Sequence, residues 1–153
     1  MTDKTAADAE HMISSHPAIA QLGSPLDAVT KDWVQMAEKK LAHDLPCSYK
    51  WFLKKYAGGE IGGEEIYSIY GMDFDSVEGG DIVHQHLIGL KNNLTTPNKL
   101  VISETDLGEV FFFNYDTYKD KECKIFLRLP SGKNELYAAN FYEFLIKRIT
   151  AYA

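Results

Sequence analysis

The densest group of chemically capable side chains lies between Glu60 and Asp81. Glu60, Glu64, Glu65, Asp73, Asp75, Glu78 and Asp81 place seven carboxylates there, and no Lys or Arg occurs from Tyr56 to Leu90. The chain carries a formal net charge of −6, while the remaining 15 acids and 16 bases leave +1 elsewhere. All of the negative charge is therefore local. Carboxylates at this density attract basic surfaces and steer their approach. Tyr67, Tyr70 and Phe74 are interleaved with them, and aromatics are enriched where interfaces concentrate their binding energy. Glu60, Glu64, Glu65, Tyr67, Tyr70, Asp73, Phe74, Asp75 and Glu78 are therefore the candidate partner-binding residues. The competing reading is a solvated acidic loop whose aromatics belong to the core.

Other constellations are weaker. The pairs Glu64-Glu65 and Asp73/Asp75 have the composition of a glycosidase couple, but adjacent acids on a strand point to opposite faces. Asp81, His84 and His86 are metal-ligand types. On a helix, His84 and His86 do not share a face, which leaves two ligands at most. Cys47, near a helix start, is a nucleophile type, yet nothing places His43 as its base. Glycines 58, 59, 62 and 63 lack the Lys-Ser/Thr ending and the preceding strand of a phosphate loop. Cys47 and Cys123 are the only cysteines and form no C-x-x-C pattern, so neither a zinc knuckle nor a disulfide framework is expected. No catalytic residue, metal or cofactor is predicted.

Composition narrows the class further. At 153 residues, 45% apolar and 25% charged, the chain fits one globular domain. Its acidity argues against nucleic-acid binding, which requires a basic footprint. No apolar run reaches the roughly 18 residues of a membrane span, and no secretory n-region and h-region open the chain. The expectation is a soluble, cytoplasmic protein that binds neither nucleic acid nor membrane.

The elements that must position the acidic stretch flank it. Tyr49, Phe52, Leu53 and Tyr56 fall at i, i+3, i+4, i+7 behind Pro46, predicting a helix that ends at Gly58-Gly59. Trp51 lies off that stripe, facing either a neighbouring element or solvent. Upstream, Thr2 to Ser15 predicts a short accessory helix, and Thr30 caps a second helix running to Leu41 with Trp33, Val34, Ala37 and Leu41 on one face. Glu65 to Tyr70 reads as a strand, Met72 to Gly80 as an acidic loop, and Asp81 to Asn92 as a helix. Leu100–Ser103, Val110–Tyr115 and Lys124–Leu129 read as strands, the second aromatic enough to be covered on both faces. Asn140 with Glu143 resembles a capping box for a terminal helix through Phe141, Phe144, Leu145, Ile149 and Tyr152. The order predicts an α+β domain: a central mixed or mostly antiparallel sheet packed by N-terminal helices and a C-terminal helix.

Taken in order, these motifs resemble a known family. Leu45-Pro46, Tyr49-Lys50-x-Phe52-Leu53, Tyr56 and Gly58-Gly59 are similar to the opening signature of the SUKH superfamily. That superfamily is named partly after a fungal cell-wall-synthesis regulator and in bacteria consists largely of immunity proteins. Pro97-Asn98-Lys99-Leu100-Val101-Ile102, followed by Asp106-Leu107-Gly108-Glu109-Val110-Phe111, resembles its paired central strands. Asn140-Phe141-Tyr142-Glu143-Phe144-Leu145 resembles its closing helix. The likeness covers residues 30–149 of a single domain 1–153, with 1–29 as an accessory segment. It implies a protein without catalysis that neutralises a cognate toxin, often a nuclease, by direct binding. A regulatory or scaffold module for an endogenous partner is the alternative, and a small hydrolase would need convergent polar groups that the sequence does not supply. The family has no fixed binding motif, so the acidic stretch as the surface for a basic toxin domain rests on the residues alone.

Overall fold

The core is built on the helix α3 (Cys47–Tyr56). In the computed structural model, which describes residues 3–153, its stripe Tyr49, Phe52 and Leu53 is buried. The Tyr49 ring meets Phe113 and Phe141 edge-on at 5.6 and 5.0 Å, the geometry aromatic quadrupoles favour. Its hydroxyl donates to the Tyr67 carbonyl at 2.7 Å, so a fully buried phenol keeps a partner. Trp51, off the stripe, packs edge-on to Tyr56 and Tyr142 at 5.6 and 5.1 Å. The helix stops differently from expectation. The positive φ begins one residue before the glycines, at Ala57, with φ 66° and ψ −41°, and the Gly58 N–H reaches back to the Tyr56 carbonyl at 2.7 Å. That is a strained three-residue γ-turn on a residue with a Cβ.

The strands lie in two antiparallel sheets. β1 (Ala20–Leu22), β2 (Gly59–Ile61) and β3 (Glu64–Ile66) form the first in that order. β4 (Lys99–Glu104), β5 (Val110–Asn114), β6 (Ile125–Arg128) and β7 (Asn134–Ala138) form the second as a meander. The sheets are stitched where β3 passes β4: the Tyr67 N–H donates to the Ile102 carbonyl at 2.8 Å, and the Ser103 hydroxyl to the Glu65 carbonyl at 2.9 Å. The expected strand from Glu65 to Tyr70 ends at Ile66, because Ser68 bonds instead to Gly80 and Ile82. β1, β2 and β7 are too short or too polar to show a strand period. On β5, Val110 to Phe113 are all buried, as the aromatic run predicted.

The other helices cover these sheets. α1 (Ala6–Ser15) buries Ala9 and Ile13 and lies along α5 (Phe141–Tyr152). Its expected start at Thr2 lies outside the described residues; the observed cap is Thr5, whose N–H donates to Asp8 at 2.9 Å. α2 (Lys31–Leu41) follows Thr30, whose side chain makes no capping bond. α4 (Ile82–Lys91) starts behind Asp81. At α5, Asn140 accepts from the Glu143 N–H at 2.9 Å, but the Glu143 carboxylate accepts from Ala139 rather than Asn140. The box is shifted by one residue. The architecture is α+β, with the polar ends of β3 and β4 meeting beside the start of α4.

Candidate protein-binding surface

The pleat sorts the acids of the β2–β3 hairpin. Glu64 shares a face with Ile61 and Ile66, both buried, whereas Glu60 and Glu65 are direct cross-strand partners on the other face. Like charges directly opposite one another repel, so this pair presents excess negative potential outward. Glu64 contributes none of it. Its carboxylate meets the Arg148 guanidinium of α5 at 3.0 Å, and that guanidinium lies 4.6 Å from the Phe111 ring centroid. Burial outweighs Arg148 and holds the Glu64 carboxyl above its ordinary value, while its second oxygen has no hydrogen-bond partner.

Glu65 faces a concave groove of about 330 Å³ that brings together Tyr67, Gly79, Gly80, Gln85, Glu104 and Asp106. Glu104 and Asp106 belong to the β4–β5 hairpin. They reach this place because β3 runs beside β4, so no local signal in the chain links them to Glu65. Burial first, then the Glu104 and Glu65 carboxylates, raises the Tyr67 phenol well above its usual range. Tyr70 braces Glu65 from outside the groove: its hydroxyl donates to the Glu65 carboxylate and accepts the Gly80 N–H at 2.8 Å. Burial and that carboxylate push the Tyr70 phenol up to about 12. Both phenols therefore stay protonated at neutral pH, as donors between carboxylates that only accept.

The rest of the acidic stretch divides. Asp81 is fully buried and structural, accepting from the Val83 and His84 N–H groups and from the Tyr70 N–H, each at 3.0 Å. Asp73, Asp75 and Glu78 are exposed on the loop after Gly71. Phe74 is buried and meets Trp33 of α2 edge-on at 5.7 Å, which pins the loop to that helix. Of the nine predicted residues, Glu65 and Tyr67 line the groove, Glu60 and Tyr70 adjoin Glu65, Phe74 packs on α2 with Asp73 and Asp75 exposed on either side of it, Glu78 is exposed on the same loop, and Glu64 faces inward.

The remaining candidates have other partners. His84 Nδ1 sits 2.7 Å from the Phe74 carbonyl oxygen, and His86 is buried with Nδ1 unpaired. Among the described residues no three His, Cys, Asp or Glu side chains converge as a metal site would require. His43 stacks on Tyr115 at 3.9 Å, its Nε2 2.8 Å from the Pro97 carbonyl oxygen, while Cys47 and Cys123 are free thiols. Burial pushes the Cys123 thiol up to about 12, the opposite of what a nucleophile needs.

A family model described as SUKH_6, SMI1-KNR4 cell-wall, matches residues 31–145. The matched span begins at the first residue of α2, ends inside α5 and includes every residue of the acidic groove.

Proposed function

Because the chain belongs to the SUKH superfamily, within its SMI1-KNR4 family, we propose that it is a non-enzymatic immunity protein that neutralises a cognate bacterial toxin by covering its basic active surface. The observation that carries this reading is the groove: Glu65, Glu104 and Asp106, from two different hairpins, converge around Tyr67 with no basic side chain among the residues that line it. Aromatic donors set among carboxylates suit a basic, substrate-binding face such as a nuclease presents to phosphates. Long-range attraction would speed encounter, and Tyr67 would supply the apolar contact. The protein then acts by occlusion in the cytoplasm and needs no cofactor.

The cell-wall description attached to the family supports a second reading, a regulatory or scaffold module for an endogenous partner. Gene context and binding separate the two. A neighbouring gene for a large toxin with a basic C-terminal domain, and a salt-sensitive complex with that domain, support immunity. If the toxin domain kills cells equally well with and without this protein, and no complex forms at low salt, the immunity reading fails.

A further inference from the structure

A second surface lies on the other side of the acidic loop. Between α2 and α3 runs an apolar groove of about 310 Å³, floored by Val29, Val34 and Leu53 and rimmed by Lys31, Lys50 and Lys54. Lys50 is held by Glu38 at 2.8 Å, whereas Lys31 and Lys54 make no ion pair among the described residues. An apolar slot with unpaired cations at its rim fits an apolar side chain flanked by carboxylates. The chain itself carries such a segment: Met72 is 56% exposed and is followed by the exposed acids Asp73 and Asp75.

The two features are neighbours on one molecule. Gly71 packs on Val29, where an added Cβ would come within 3.1 Å of its side chain, and Phe74 is fixed on Trp33. Leu26, on the 3₁₀ turn Pro25–Asp27 that packs along α3, is 97% exposed. A single face thus holds a basic apolar groove, an acidic segment with an apolar tip, and an unburied leucine. Met72 itself is 56% exposed and is not among the residues that line its own groove. A patch whose two halves complement each other satisfies the requirement of a two-fold interface, in which residue i meets j and j meets i.

We propose that this face is where two copies of the chain meet, with the Met72–Asp75 segment of each copy seated on the Val29–Val34–Leu53 groove of the other. Met72 fills the slot, Asp73 and Asp75 face the partner's Lys31 and Lys54, and Leu26 is covered at the rim. The acidic groove at Glu65, Glu104 and Asp106 shares no lining residue with this one, so this inference stands whether or not the toxin reading does.

Sedimentation equilibrium of the full chain tests it, with two charge-reversed variants, Lys31→Glu/Lys54→Glu and Asp73→Lys/Asp75→Lys. The expected result is a dimer that weakens as salt rises, because rim ion pairs are screened. Each variant alone should dimerise at least about tenfold more weakly, since like charges then face each other. Mixed in equal amounts, the two should form a heterodimer, because both groove–segment contacts again pair opposite charges. Unchanged circular dichroism would show that the substitutions leave the fold intact. A wild-type chain that stays monomeric throughout, variants that dimerise like wild type, or a mixture with no heterodimer would each overturn the proposal.

Discussion

Ser48 and Glu122 are joined twice across 74 residues of chain: the Ser48 hydroxyl donates to one carboxylate oxygen at 2.6 Å and its N–H to the other at 2.8 Å. The same hydroxyl accepts the Phe141 N–H at 3.0 Å. One buried serine thus satisfies the start of α5 while a distant glutamate satisfies the start of α3, which Pro46 cannot cap with a side chain of its own. The aromatic contacts of Tyr49 with Phe141 depend on both helix ends being held in place.

Ser48→Ala should therefore cost more than an ordinary cap, about 2–3 kcal/mol, because it strands the buried Phe141 N–H and removes one of the two hydrogen bonds to the Glu122 carboxylate. Glu122→Ala combined with Ser48→Ala should cost less than the sum of the single changes. Urea unfolding of the four proteins in the cycle measures this; strict additivity would show that the two residues act independently.

Arg148→Leu should destabilise the fold by about 2–3 kcal/mol, less than the loss of a fully buried pair, since it leaves the partly buried Glu64 carboxylate without its cation. Adding Glu64→Gln should recover much of that loss. Chemical denaturation of single and double variants checks the expectation, and an equally unstable double variant would contradict it.

Ala57→Gly should stabilise the protein by about 1 kcal/mol. At φ 66° and ψ −41° the alanine Cβ is strained, and the relief outweighs the extra freedom of glycine in the unfolded chain. A lower melting temperature for the variant would show that the γ-turn carries no such strain.

Burial of His86, helped by His43 nearby, holds its imidazole below the ordinary value of 6.5. The unfolded chain takes up that proton more readily than the folded one. This share of stability is complete above the unfolded value and is lost as pH falls below it, by up to about 1.4 kcal/mol per pH unit for one site. His86→Gln should flatten the decline in unfolding free energy between about pH 7 and pH 5. An unchanged slope would assign the acid sensitivity to other groups.

On the immunity reading proposed above, Glu104→Gln with Asp106→Asn in the acidic groove should slow association with a basic toxin domain and reduce its salt dependence, leaving dissociation nearly unchanged. Stopped-flow kinetics at two ionic strengths would report it. Unaltered association would place the interface away from the β4–β5 hairpin.

Local information made the helices legible. The apolar period of α3 and α5, the cap at Asn140 and the aromatic run of β5 follow from side chains a few residues apart, so the α+β class and the acidic stretch could be read in the chain. The strands β1, β2 and β7 gave no such signal: β1 and β2 are three residues long, with Ala20 of β1 pairing only with the distant Ile61, and β7 is a largely exposed edge. The same limit applies to the surface. Adjacent acids on a strand must part, and the pleat alone says that Glu64 and Glu65 diverge. Only the packing of Arg148 and Phe111 against the hairpin decided that Glu64 is the one turned inward onto a cation. Only the passage of β3 beside β4 brought Glu104 and Asp106 to Glu65, because opposite ends of a groove need share no stretch of chain.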